Sequence, residues 1–293
     1  MSDTAVFPFP PRRVGEGARG WGAAFSIRSG DYAMSDTVLD FYQHLAQDYH
    51  LIYADWLRGI ERQSNVLERV IRAHLPEART VLDCACGIGT QAIGLARRGY
   101  TVHATDLSPA AVERAAHEAA AQGIALSVGV ADFRTLAEQV PDTFDVVLAC
   151  DNSLPHLIED ADLRRAAENM RDKLRPGGLL LLSIRDYDHL TLDRPRATMP
   201  QVLDGPDGPR IVFQVWDWAE DGRTYAFRLF ILRPDGDGWR TTSHATTYRG
   251  LVRASDAAKR EARERATERL LESLSGGAPE AGADAKLYVL SGS

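Results

Sequence analysis

The run Val81-Leu82-Asp83-Cys84-Ala85-Cys86-Gly87-Ile88-Gly89-Thr90 ends a short apolar stretch with a carboxylate and follows it at once with glycines. Gly87 and Gly89 lack a Cβ and take positive φ without steric cost, so the main chain can turn tightly and approach a ligand. Gln91-Ala92-Ile93-Gly94-Leu95-Ala96 then reads as the start of a helix, and free amides at such a start suit a polar or anionic group. The chemistry indicated is nucleotide binding. Asp83 is placed to accept from main-chain or ligand donors beside the turn. Asp106, at the end of the next strand, stands where an acid takes a ribose hydroxyl pair. Gly87-Ile88-Gly89-Thr90-Gln91-Ala92 also fits a permissive G-x-G-x-x-A, which keeps a dinucleotide-dependent oxidoreductase open.

Other strand ends add polar groups. Asp132-Phe133 offers an acid for an adenine amino group and a ring to stack on it. Cys150-Asp151-Asn152-Ser153-Leu154-Pro155-His156-Leu157 follows a further strand, at the carboxyl edge where open α/β sheets bind ligands. Asn152 supplies both donor and acceptor. His156 is either a hydrogen-bonding, proton-buffering group or a satisfied core residue. Arg185-Asp186-Tyr187-Asp188 closes another strand and brings a guanidinium to the same edge.

The elements that must position these groups alternate as in a doubly wound, mostly parallel α/β sheet. Strands are predicted at about 80–84, 101–105, 126–130, 144–149 and 179–184. Helices are predicted at 90–98, 109–121 and 160–174. Ser108-Pro109 is a helix opening, and Arg175-Pro176-Gly177-Gly178 is read as a helix stop and turn. The unbroken apolar run Leu179–Leu182 fits a strand covered on both faces. Before the sheet, Ile60, Leu67, Val70, Ile71 and Leu75 line one side of a helix that ends ahead of Pro76. After Arg185 comes a Pro/Asp/Gly-rich loop, then antiparallel strands Arg210–Trp218, Thr224–Leu232 and Trp239–Tyr248. Asp221-Gly222 and Asp235-Gly236-Asp237-Gly238 are their hairpin turns. The expected organisation is a disordered tail over 1–33, a helical cap over 34–78, the binding core over 79–186, a small antiparallel β cover over 187–250 and a helical tail over 251–293. Met34 is a candidate true start, because helical patterning begins just after it.

Composition narrows the partners. The chain has 293 residues, 44% of them apolar, enough for a sizeable core, and a net charge of −7 from 41 acidic and 34 basic residues. That balance lacks the cationic stripe of a sequence-independent nucleic-acid binder. A small-molecule partner is expected, with no nucleic acid and no membrane. Three cysteines form neither a disulfide framework nor a CxxC pair, so no metal is expected and the reading is cytoplasmic.

Over about 40–250 these residues resemble the class I S-adenosylmethionine-dependent methyltransferases, and more narrowly the glycine and sarcosine N-methyltransferases. Asp48-Tyr49-His50-Leu51-Ile52-Tyr53, the glycine turn, Ala131-Asp132-Phe133-Arg134, the 150–157 stretch and Ser183–Asp188 carry the resemblance. It implies S-adenosyl-L-methionine as cofactor and a small amine or amino acid as acceptor. Ala85 with the Gly87/Gly89 turn would approach the methionine part, Asp106 would hold the ribose, and Asp132 and Phe133 would flank adenine. Arg62 looks like the arginine that meets the cofactor carboxylate. Tyr53, Asp83, Leu107, Asp151 and His156 complete the implied cofactor set. Arg185 resembles the arginine that grips the amino-acid carboxylate, with Asn152 near the acceptor, Tyr187 and Tyr248 beside it, and Tyr49 a further match. Trp216 and Trp218 either enclose a methylated cation or pack the cover.

The departure is the chain beyond Leu251, an alanine, arginine and glutamate mixture in place of a closing helix and two strands. Lys286-Leu287-Tyr288-Val289-Leu290 is the one strand candidate left in it. A methyltransferase of another small acceptor and a non-catalytic cofactor-binding protein stay open beside the amino-acid reading. The number of methyl groups transferred and the oligomeric state also stay open.

Overall fold

The computed structural model describes residues 38–205, 208–251 and 286–292. The expected tail over 1–33, the start at Met34 and the helical and Gly/Ala-rich segments between 252 and 285 lie outside them. In chain order come α1 (Val38–Leu45), α2 (Trp56–His74), β1 (Thr80–Asp83), α3 (Thr90–Arg97), β2 (Thr101–Asp106), α4 (Pro109–Ala121), β3 (Ser127–Val130) and α5 (Leu136–Gln139). They are followed by β4 (Phe144–Ala149), α6 (Asp160–Asp172), β5 (Leu174–Arg185), α7 (Tyr187–Asp193), β6 (Gln201–Leu203), β7 (Arg210–Trp218), β8 (Thr224–Asp235), β9 (Gly238–Arg249) and β10 (Lys286–Gly292). Short 3₁₀ turns sit at Tyr49–Ile52 and Leu154–His156. No helix among the described residues is long and apolar enough to cross a membrane.

One sheet has the order β10-β5-β4-β1-β2-β3 and pairs in parallel throughout, as its alternation with helices predicts. The polar strand-end residues therefore gather at one edge. Leu180 and Leu182 pack into one buried cluster and Leu179 and Leu181 into another, so β5 is covered on both faces. α2 starts at Asp55, whose side chain accepts from the Arg58 amide, and buries Ile60, Leu67 and Ile71. α4 starts at Ser108, whose hydroxyl accepts from Ala111 N ahead of Pro109.

A second sheet, β6-β7-β8-β9, is antiparallel. Its inward residues Val212, Trp216, Tyr225, Phe227, Leu229, Ile231 and Tyr248 join the same core cluster as Phe41, Leu45, Leu154 and Tyr187. Buried Arg210 ties β7 back to the first 3₁₀ turn by donating from Nε to Leu51 O at 2.7 Å. Arg249, at the end of β9, donates from Nη1 to Ile158 O at 2.8 Å.

Four local expectations are corrected. Arg175-Pro176-Gly177-Gly178 lies inside β5 and does not precede it. Phe144 pairs with Leu174 and Val146 with Leu179, so the four residues bulge out of the ladder, with Gly177 at φ 75°. The helix before it accordingly ends at Asp172. Asp235 and Gly238 pair as the last rung of β8 and β9, leaving Gly236-Asp237 as the turn. The segment after Arg185 opens as helix α7, because the Asp186 side chain caps it by accepting from the His189 amide.

Candidate functional site

A cleft opens at the carboxyl edge of the parallel sheet, lined among others by Ala85, Gly87, Asp106, Leu107, Asp132, Phe133, Asp151 and His156. Gly87 has φ 52°, and a Cβ built there would meet nothing within 4 Å, so the turn presents bare main chain to open space. Its amide donates to Asp106 Oδ2 at 2.8 Å, and Ser108 N donates to Asp106 Oδ1 at 2.9 Å. One carboxylate thus locks the glycine turn to the end of β2 while lining the cleft. Burial pushes the Asp106 carboxyl pKa up, against the pull of these amides. Both carboxylate oxygens of Asp132 accept from Arg134 Nε, at 3.0 and 2.9 Å, and Arg134 also reaches Asp162 at 3.2 Å, while Phe133 lines the cleft beside it.

Four expected cofactor residues lie off the cleft wall. Asp83 is fully buried beneath the turn. Its Oδ1 accepts weakly from Ala85 N at 3.4 Å, its Oδ2 has no partner among the described residues, and burial drives its pKa well above the carboxylate range. Gly89, at φ 92°, starts α3 and lies against Ile93 and Ala115, a close approach a Cβ would crowd at 3.0 to 3.3 Å. Arg62 is exposed on α2, and the structure does not bring it to the cleft. Its neighbour Gln63 is the residue that turns inward. It donates to Asp151 Oδ2 at 3.3 Å and accepts from Gln91 in the first turn of α3. Helical phase carries that signal: Gln63 stands four residues from both Gly59 and Leu67 on the buried stripe, whereas Arg62 points away. Tyr53 stands behind the wall, its hydroxyl donating to Asp151 Oδ2 at 3.2 Å.

Asp151 and Asn152 form the turn after β4, with φ of 53° and 68°. Asn152 is 6% exposed; its Oδ1 accepts from Arg185 N at 3.2 Å and Tyr187 OH at 3.0 Å, and its Nδ2 meets no hydrogen-bond acceptor among the described residues. Beyond it lies a box closed by the cover. The Arg185 guanidinium stands 5.0 Å from the Trp216 ring centre, 5.3 Å from Phe227 and 5.4 Å from Tyr248. It donates to Tyr225 OH at 3.0 Å and Gln214 Oε1 at 3.4 Å, and no carboxylate pairs with it among the described residues. Burial disfavours its charge, but Tyr225, Tyr248 and Tyr187 outweigh that and hold its pKa above the ordinary value. Burial raises the Tyr248 hydroxyl to about 12 and pushes Tyr187 well up, so both keep their protons. Trp216 lends its face to Arg185. Trp218 donates its Nε1 proton to Pro195 O at 3.0 Å and packs on Tyr225.

His156 joins the two compartments. Its ring lies 4.2 Å from that of Tyr248, its Nε2 bonds the Tyr42 hydroxyl at 2.9 Å, and its Nδ1 lies 3.4 Å from Thr246 Oγ1. Burial lowers its pKa to about 3, so it is a neutral, structurally engaged imidazole at physiological pH. Tyr42, Gln63, Gln91, Gln214 and Tyr225 belong to these networks without having been singled out from the sequence. Only Gln63 had a readable signal.

Comparisons with known proteins agree with this architecture. Residues 81–178 match the family of the methyltransferase domain. The glycine/sarcosine N-methyltransferase of Parasynechococcus marenigrum (strain WH8102) is 31% identical over 165 residues, 56% of each chain. The chain thus spans about half the length of the curated relatives it matches, since its match to the human glycine N-methyltransferase covers 47% of that protein. Among solved structures, the sugar N-methyltransferase KedS8 from Streptoalloteichus sp ATCC 53650 superposes with a TM-score of 0.60 at 21% identity, covering 93% of this chain and all of that one. These matches show a Rossmann-like methyltransferase fold.

Proposed function

We propose that this chain, whose residues 81–178 are an S-adenosylmethionine-dependent methyltransferase domain resembling those of glycine/sarcosine N-methyltransferases, methylates the nitrogen of a small amino acid. The carrying observation is Arg185. It is a cation within an aromatic box, bonded among the described residues only to neutral oxygens, beside an Asn152 Nδ2 that meets no acceptor among them. Burying a charge with no counter-ion is unfavourable, and a substrate carboxylate is the group that balances it.

S-adenosylmethionine fits the cleft by its lining: bare main chain at Gly87, the Asp106 carboxylate, and Asp132 with Phe133. In this reading Ala85, Gly87, Asp106, Leu107, Asp132 and Phe133 hold it. When bound it supplies an electrophilic methyl carbon on sulfonium. The protein then has to place an uncharged amine in line with that carbon, a positioning effect worth up to ~7–11 kcal/mol. Arg185 grips the acceptor carboxylate, and charge-assisted bonds of that kind contribute ~1.5–3 kcal/mol. Asn152 offers Nδ2 as a donor that fixes the acceptor's orientation. Tyr187 and Tyr248 keep their protons and line the acceptor side. His156 is not the base, since an imidazole with pKa about 3 and both nitrogens engaged accepts protons poorly. The amine must shed its proton before it attacks.

Product analysis by mass spectrometry after incubation with S-adenosylmethionine and, separately, glycine, sarcosine and dimethylglycine tests the reading. Methylated product from at least one is expected. Cofactor binding without product from any of the three moves the acceptor to another class of small molecule.

A further inference from the structure

Three carboxylates at strand ends line the cleft, and two are already balanced. Asp106 takes two main-chain amides and Asp132 takes Arg134. Asp151 has neither. It is half-buried, its Oδ2 accepts only from the neutral Tyr53 hydroxyl and Gln63 amide, and no hydrogen bond reaches its Oδ1 from the described residues. No lysine, arginine or histidine pairs with it among those residues. At φ 53° it also occupies a backbone conformation that glycine adopts freely and side chains rarely do. A carboxylate held in such a position with only neutral neighbours leaves a negative charge open to a cation from the cleft.

Direction decides which cation. Asp151 and Asn152 are adjacent, yet their side chains diverge. Asn152 bonds Arg185 and Tyr187 on the cover side, whereas the Asp151 carboxylate turns toward α2 and, through Gln63 and Gln91, toward the first turn of α3 beside the glycine turn. The acceptor belongs to the Asn152 side. We propose that Asp151 binds the α-ammonium of the cofactor's methionyl group, an assignment that rests on the S-adenosylmethionine reading above. Gln63 and Tyr53 are positioning residues that hold its Oδ2 and leave Oδ1 to the ligand.

Isothermal titration of the full chain and of Asp151→Asn and Asp151→Gly, with three ligands, tests it. S-adenosylmethionine carries ammonium and sulfonium, S-adenosylhomocysteine keeps only the ammonium, and 5′-methylthioadenosine has neither. Both variants should bind the first two about ten- to hundredfold more weakly and the third within about twofold of the unaltered chain. Asp151→Gly also relieves the left-handed backbone, so it should unfold at a higher temperature than Asp151→Asn while binding no better. An equal loss for 5′-methylthioadenosine would make the role structural and overturn the assignment, as would no loss for S-adenosylhomocysteine. A loss confined to S-adenosylmethionine would assign the carboxylate to the sulfonium instead. If the unaltered chain binds none of the three, the cofactor reading itself falls.

Discussion

Around the glycine turn of the cleft the fixed contacts run to the main chain: Asp106 takes the amides of Gly87 and Ser108, and Asp83 takes that of Ala85. Across the Asp151-Asn152 turn they run between side chains from five elements, with Arg185 of β5 meeting Gln214 and Trp216 of β7, Tyr225 and Phe227 of β8, Tyr248 of β9 and Tyr187 of α7 through its neighbours. The first kind of site is assembled by a few consecutive residues at adjacent strand ends. The second exists only once the cover has docked. In the proposed reading, acceptor choice can therefore change by substitutions in the cover that leave the glycine turn untouched.

The sharpest way to break this division is Arg185→Met, which keeps an apolar stem in the box and deletes the charge. The value of kcat/KM for the amino acid should fall about a hundredfold, the scale of a lost charge-assisted carboxylate grip of ~3 kcal/mol. Calorimetry should show the cofactor dissociation constant within about twofold of the unaltered chain. A comparable loss in cofactor affinity would mean that the two sides are not separable.

His156 bridges both sides, and its titration tests how far they depend on one another. Its folded pKa of about 3 lies below the ordinary histidine value near 6.5, so below that pH the unfolded chain binds a proton that the folded chain refuses. Stability from this group is fully present above pH ~6.5 and is lost as the pH falls toward 3. Between pH 6.5 and 5 the unaltered chain should lose ~1.5–2 kcal/mol more than His156→Gln, read from urea unfolding at each pH. Parallel curves for the two proteins would show that the imidazole is not held neutral.

What the sequence made legible follows the same division. The glycine turn and the strand-end acids were readable because each is specified by neighbours in the chain: an apolar strand, an acid, then residues free to take positive φ. The parallel order was readable because strand and helix patterns alternate. Arg62 was singled out by local resemblance, although the stripe through Gly59, Ile60 and Leu67 turns Gln63 inward. The bulge at 175–178 was hidden because Pro-Gly-Gly announces a chain reversal equally well before a strand or within one. Tyr225 and Gln214 carried no signal at all. Alternation along β7 and β8 tells which face each occupies, but their meeting with Arg185 depends on pairing between segments far apart in sequence.

Tyr225→Phe is the smallest and finest test of that long-range assembly. The ring stacks at 5.3 Å on Trp216 and 5.5 Å on Tyr248, and phenylalanine keeps that packing. What disappears is one hydroxyl, which accepts from Arg185 Nη1 at 3.0 Å and bonds Tyr187 OH at 3.0 Å. A hydrogen bond that only orients the guanidinium contributes ~1 kcal/mol. The amino-acid KM should therefore rise about fivefold, with kcat and cofactor affinity unchanged. If kcat falls as steeply as kcat/KM, the hydroxyl is engaged in the transition state itself, and the box would act on the reacting amine as well as on the carboxylate.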